Sequence, residues 1–146
     1  MKIVLATLHV RRSAQAVPLA AGCLAAALNP EQRARTRLVD LFPEQSVPEM
    51  TGLIQAEEPA LVAFPTYSWN RALVIALSNR LHQQNPELWQ VAGGPEATGD
   101  HQRLAQEAPW LLLLRGEGET AFPQLVESLC RHASLENLPG ITCMRN

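Results

Sequence analysis

Ile3-Val4-Leu5-Ala6 is a short apolar run with no polar alternation. A run of this kind marks a strand covered on both faces, as in a parallel sheet. Working outward, residues 18–28 form an Ala-rich helix pattern, with Pro18 suited to a first turn and Asn29-Pro30 as the stop. Residues 38–41 read as a second strand, at an edge because polar Arg35 and Arg37 alternate before it, and 50–57 as a short helix ended by Pro59. A third strand, 60–64, runs into the loop 65–70. In the helix that follows, 71–84, Leu73, Ile75, Ala76, Leu77 and Leu81 recur at helical spacing. A strand at 88–92, a helix at 100–107, a strand at 110–114 and a helix at 122–132 follow, and 141–144 is read as a terminal strand. Repeated strand-helix units with short connections predict an α/β, flavodoxin-like, doubly wound parallel sheet of order 2-1-3-4-5 with helices on both faces.

With 146 residues, 47% of them hydrophobic and 18% charged, the chain is expected to be one globular domain over 1–146. A net charge of −2 gives no general pull toward nucleic acid or anionic lipid. Charge is uneven: Lys2, Arg11, Arg12, Arg33, Arg35 and Arg37 face only Glu31 in the first 38 residues, as either solvated surface or a phosphate-binding patch. Cys23, Cys130 and Cys143 lack the close spacing of a zinc or iron–sulfur site, and no stretch approaches the ~20 apolar residues of a membrane helix. No metal ligand and a cytoplasmic location are expected.

Ligands of an open parallel sheet bind beyond the carboxyl ends of its strands, where the strand order reverses. The loops there carry His9 to Gln15, Tyr67 to Asn70, Gly93 to Glu96 and Arg115 to Glu119. The first turn has no glycine, and Gly116-Glu117-Gly118 has two and follows the fifth strand, so a dinucleotide fingerprint is not met. Gly93-Gly94-Pro95 either makes a tight turn or lets a flat group lie against the backbone. Tyr67 and Trp69 either pack under a helix or form a floor for a large ring. Glu117 and Glu119 suit the positive end of a helix without any ligand.

Taken together, Ala16 to Gly22, Tyr67-Ser68-Trp69-Asn70, Gly93-Gly94-Pro95-Glu96, Arg115-Gly116-Glu117-Gly118-Glu119 and Leu138-Pro139-Gly140-Ile141 resemble the N-terminal cobalamin-binding domain of cobalamin-dependent radical S-adenosylmethionine enzymes. The resemblance covers the whole chain. It implies a corrinoid at the strand ends, with Tyr67, Ser68, Trp69 and Asn70 toward the lower side of the corrin. Gly93, Gly94, Pro95, Glu96, Arg115, Gly116, Glu117, Gly118 and Glu119 would line the path of the nucleotide tail. The implied cofactor is cobalamin. S-adenosylmethionine and a [4Fe-4S] cluster would belong to a downstream barrel, so the chain is expected to be a fragment of a longer enzyme, non-catalytic alone and serving a methyl transfer.

The sequence departs from the Asp-x-His-x-x-Gly pattern of methionine-synthase-type domains. Here Thr7-Leu8-His9-Val10-Arg11-Arg12 leaves His9 without its supporting acid and glycine. An axial imidazole normally needs a partner to orient it, so His9 is read as a loop residue. Two rival readings stand beside the corrinoid one. In the first, a small enzyme uses His9 with Glu96 or Glu117 as acid–base groups. In the second, a protein-interaction module with a vestigial pocket docks its partner on Tyr67 and Trp69.

Overall fold

The computed structural model describes residues 1–136 and 138–143. Strands β1 (Ile3–Leu8), β2 (Thr36–Leu41), β3 (Leu61–Pro65), β4 (Trp89–Gly93) and β5 (Leu112–Leu114) pair in parallel, and β6 (Ile141–Thr142) adds antiparallel to β5. The order is β2-β1-β3-β4-β5-β6, so the expected order holds over the first five strands and the chain's end supplies a sixth. The helices are α1 (Leu19–Ala27), α2 (Pro30–Ala34), α3 (Val47–Ala56), α4 (Arg71–Gln84), α5 (Pro95–Gly99), α6 (His101–Glu107) and α7 (Gly118–Cys130).

Side chains alternate across the strands and build two layers. Ile3, Leu5, Leu61, Ala63, Val91, Leu112 and Leu114 face α1 and α7, where Ala21, Phe122, Leu125 and Val126 cover them. Val4, Ala6, Val62 and Phe64 face α3 and α4, covered by Met50, Ile54, Val74 and Leu77. Ala92 and Leu113 continue that face beneath Ala97, Leu104 and Ala105 of α5 and α6. Strand β2 lies at the edge, as its polar alternation predicts, with Arg37, Leu38 and Asp40 exposed.

The differences from the sequence reading have local causes. Asn29 ends α1 and also caps α2, its side chain accepting from the Gln32 N–H at 2.8 Å. Pro95 stands in the first turn of α5, a helix the tight-turn reading of Gly93-Gly94-Pro95 conceals. Helix α7 starts at Gly118 rather than at 122, and accommodates Pro123 inside. Trp110 is not in β5: its indole N–H donates to Ser78 Oγ at 2.7 Å and its ring stacks on His82 at 4.7 Å. Of the predicted last strand, Met144 lies outside the described residues. Among the described residues no helix is long and apolar enough to cross a membrane.

Strand β6 closes the sheet through one glycine. Gly140 has φ of +75° and its carbonyl accepts from the Arg115 N–H at 2.7 Å, while an added Cβ would stand 2.7 Å from the Arg115 carbonyl oxygen. Gly140→Ala is therefore expected to lower unfolding stability by about 1–3 kcal/mol, read from the urea midpoint. A variant with the native midpoint would show that β6 does not depend on that turn.

Candidate functional site

The sheet opens at the point where its order reverses. β1 and β3 pair only from Ile3↔Leu61 to Leu5↔Ala63, although β1 continues to Leu8 and β3 to Pro65. Beyond that last pair the strands part. A cavity of about 150 Å³ lies at the parting, between the sheet and helices α1 and α7. Leu5, Ala63, Val91 and Leu114 from four strands line it, with Phe122 of α7 and Leu24 of α1. Its rim residues are Tyr67, Gly93, Gly94, Gly116, Gly118 and Glu119, drawn from the loops after β3 and β5, the end of β4 and the start of α7.

Close backbone approach holds that rim together. The Thr66 N–H donates to the Gly93 carbonyl at 2.7 Å, and the Glu96 N–H to the Thr66 carbonyl at 3.2 Å. Gly94, at φ +101° and ψ −168°, occupies a region essentially reserved for glycine, and a Cβ there would meet the Thr66 carbonyl oxygen at 3.0 Å. Gly93-Gly94-Pro95 thus makes a tight turn, and its second glycine lets two backbones touch. Gly118 leaves room for Leu24, whose Cδ2 would sit 3.0 Å from an added Cβ.

Tyr67 and Trp69 stack with ring centroids 5.9 Å apart and planes 9° from parallel. Trp69 is 52% exposed, so this ring pair stands on the rim and does not pack under a helix. Trp69 also borders a second cleft of about 220 Å³ on the α3–α4 side, shared with His9, Phe42 and Met50. Ser68 is exposed beside them.

Two predicted site residues have partners within the protein. Asn70 is buried, and its side chain is spent on its own loop: Oδ1 accepts from the Tyr67 N–H at 2.7 Å and Nδ2 donates to the Pro65 carbonyl at 2.9 Å. Glu96 accepts from Arg71 at 2.7 Å. Glu117 stands at the N-cap of α7 without making a side-chain cap hydrogen bond, and it and Glu119 are exposed. Arg115 keeps its place at the end of β5, where its Nε is buried without a partner, as is Thr7 Oγ1 at the end of β1.

His9 does have a supporting acid, contrary to its local sequence. Asp40, brought alongside by the β1–β2 register, has Oδ1 2.7 Å from His9 Nε2, and the ring stacks on Phe42 at 5.1 Å. The Arg12 guanidinium lies 4.1 Å from the same Phe42 ring. These contacts pin the β1–α1 loop to β2. His9 remains a loop residue, through a partner that spacing does not disclose. Of the groups in the first rival reading, His9 is paired with Asp40 and Glu96 with Arg71, while Glu117 is exposed.

Arg71 is the residue the sequence reading missed. It opens α4 directly after the 65–70 loop, is 12% exposed, and binds Glu96 at 2.7 Å, Asp100 at 2.9 Å and Glu107 at 2.9 Å. Burial alone would lower its pKa. Its hydrogen bonds to Glu96, Glu107 and Asp100 outweigh that and raise it, so the guanidinium stays charged at every accessible pH. The same hydrogen bond holds the Glu107 carboxyl below its ordinary 4.5, against some desolvation and with help from Arg103. A depressed folded-state value contributes stability above 4.5 that is lost as pH falls through the lowered value. Arg71→Met should therefore cost about 1–3 kcal/mol near neutrality. The gap to the native chain should narrow in acid, measured by urea unfolding across pH. A gap of constant size below pH 4.5 would remove Glu107 from the account.

Similarity to known proteins agrees with this geometry. The model of the B12 binding domain matches residues 6–126. Hopanoid C-3 methylase of Methylococcus capsulatus is 32% identical over 111 residues, which is 74% of this chain and 21% of that protein. The cobalamin-dependent radical SAM methyltransferase TokK of Streptomyces tokunonensis is 29% identical over 90 residues, 60% of this chain and 13% of its own length. The chain thus spans about a fifth or less of these relatives. Among solved structures, the cobalamin-dependent S-adenosylmethionine radical enzyme OxsB with aqua-cobalamin and S-adenosylmethionine bound superposes with a TM-score of 0.79 at 19% identity, over 99% of this chain and 21% of that one. The chain belongs to the B12-binding domain family and is a cobalamin-binding domain related to cobalamin-dependent radical S-adenosylmethionine methyltransferases.

Proposed function

We propose that the chain seats a corrinoid on the carboxyl-end rim of its sheet, in the cytoplasm, as one domain of a longer radical S-adenosylmethionine methyltransferase. The observation that carries this reading is the cavity at the β1–β3 parting, flanked by glycine turns and by an exposed aromatic pair. At about 150 Å³ it is far below the 300–1,000 Å³ of a site for a whole drug-sized ligand. Tyr67 and Trp69, with Ser68 beside them, would hold the corrin outside the cavity, and the nucleotide tail would enter it. Gly93, Gly94, Gly116 and Gly118 bring bare backbone to the tail. Pro95, Arg115, Glu117 and Glu119 border its path, and the unpaired Arg115 Nε and Thr7 Oγ1 offer polar contacts near the strand ends. Asn70, Glu96 and Arg71 would hold the two loops in place.

The chemistry a bound corrinoid supplies is carriage of a methyl group on cobalt, and the protein's part is binding and orientation. His9, held by Asp40 at the same end of the sheet, would stay a residue of the β1–α1 loop. Catalysis, the iron–sulfur cluster and S-adenosylmethionine belong to the rest of the parent.

The purified chain mixed with hydroxocobalamin should co-elute with it on gel filtration and melt at a higher temperature. Trp69→Ala should weaken binding about 3- to 10-fold while leaving the fold intact. Absence of both retained colour and thermal shift would overturn the reading.

A further inference from the structure

We propose that the chain pairs with a second copy of itself along the free edge of β2, the two strands running antiparallel about a two-fold axis at Leu38. An open sheet edge invites association, and proteins blunt it with proline, lysine, bulges or very short strands. The far edge is short, since β6 spans only Ile141–Thr142. Strand β2 is not blunted in this way. Thr36-Arg37-Leu38-Val39-Asp40-Leu41 has no proline, glycine or lysine, and its register with β1 runs unbroken from Ile3↔Thr36 to Leu8↔Leu41.

The existing ladder decides which backbone groups of β2 are turned outward. The Arg35 carbonyl accepts from the Ile3 N–H at 3.0 Å and the Leu41 carbonyl from the His9 N–H at 2.9 Å. Alternate residues of a parallel strand bond to the same neighbour, so 35, 37, 39 and 41 face β1, and Thr36, Leu38 and Asp40 face outward. An antiparallel partner centred on Leu38 sets Leu38 against Leu38 and Thr36 against Asp40, the positions that form hydrogen-bonded pairs in such a ladder. Each outward N–H and C=O then gains a mate. The Thr36 carbonyl accepts from the Arg37 guanidinium at 3.2 Å, an exposed contact that the Asp40 N–H of the second copy would replace.

Side chains and charge suit the same register. Among the described residues, four of the six large exposed apolar side chains stand at the carboxyl-end rim, and the other two, Leu38 and Leu53, are 45% and 43% exposed. Leu53 lies about 200° around α3 from Gln55, which bonds Gln84 of α4, so it is turned away from α4 toward the β2 side. Both spare leucines thus belong to this edge. Residues 33–37 carry three arginines, whereas 40–49 carry Asp40, Glu44 and Glu49. Antiparallel pairing lays the basic start of each strand beside the acidic end of the other, and parallel pairing would set like beside like. Arg35 and Arg37 are only loosely engaged within the chain, by Glu31 at 3.3 Å and Glu57 at 3.9 Å.

Sedimentation velocity on the intact chain from about 1 to 200 μM should show a monomer–dimer equilibrium. Leu38→Lys should raise the dissociation constant about tenfold or more, and Arg37→Glu at least about threefold, with unchanged circular dichroism. A monomer throughout that range, or a dimer that Leu38→Lys leaves intact, would overturn the proposal. Cross-linking tests the register. With Cys23, Cys130 and Cys143 replaced by serine, Leu38→Cys should form an intermolecular disulfide, because directly opposed residues place their Cα atoms about 5.5 Å apart. Thr36→Cys should not, since Thr36 faces Asp40 and its own counterpart lies further along the strand. Equal cross-linking at the two positions would overturn the pairing. Strand β2 contributes no residue to the lining of the β1–β3 cavity, so failure of the dimer and failure of the corrinoid reading are separate results.

Discussion

A parallel sheet buried on both faces can be wound only by reversing the direction in which strands are added, and every feature of the site follows from that constraint. The chain adds β2 on one side of β1, then crosses to lay β3 on the other. The helices after β1 and β5 take one face and those after β2 and β3 the opposite one. Between β1 and β3 no connection spans the carboxyl ends, and there the ladder stops at Leu5↔Ala63. The cavity is what remains where two covered layers begin to part.

Keeping a parting of that sort open and well shaped requires its flanking loops to be fixed from behind. The β3 and β4 loops are joined by backbone contacts through Thr66 and Gly94, and by Arg71, which gathers three carboxylates from α5, the α5–α6 junction and α6. The β1 loop is fixed separately by His9 on Asp40 and Arg12 on Phe42. Because the guanidinium is mostly enclosed, removing it leaves like charges side by side, which makes Arg71 a positioning residue for both rim loops.

The sequence made some of this legible and hid the rest for identifiable reasons. Strand and helix order could be read because runs such as Ile3 to Ala6 and the breakers Asn29-Pro30 and Pro59 are local signals. The rim loops were legible because glycines and aromatics stand out at strand ends. The cavity floor was not: Leu5, Ala63, Val91, Leu114 and Phe122 look like any core residues, and only the strand order tells which of them the parting uncovers. Arg71 and Asp40 were missed because their partners lie 25–36 and 31 residues away and meet through packing and register. The hydrogen bonds that Asn70 and Glu96 make within the protein were likewise hidden, since the motif shows the residues and not their partners.

The rim carries more apolar surface than the fold needs. Val10, Val17 and Leu19 are each 72% exposed, and all lie between the end of β1 and the start of α1, at the same end of the sheet as Trp69. Exposed apolar groups concentrated in one place usually mark a surface meant to be covered. On the corrinoid reading, a broad plate laid across that end gains its binding free energy from area, a term indifferent to the plate's detailed chemistry. The cavity at the β1–β3 parting works differently: it is small, and of its lining only Tyr67 and Glu119 have polar side chains, so it would contribute through shape where the open rim contributes through area.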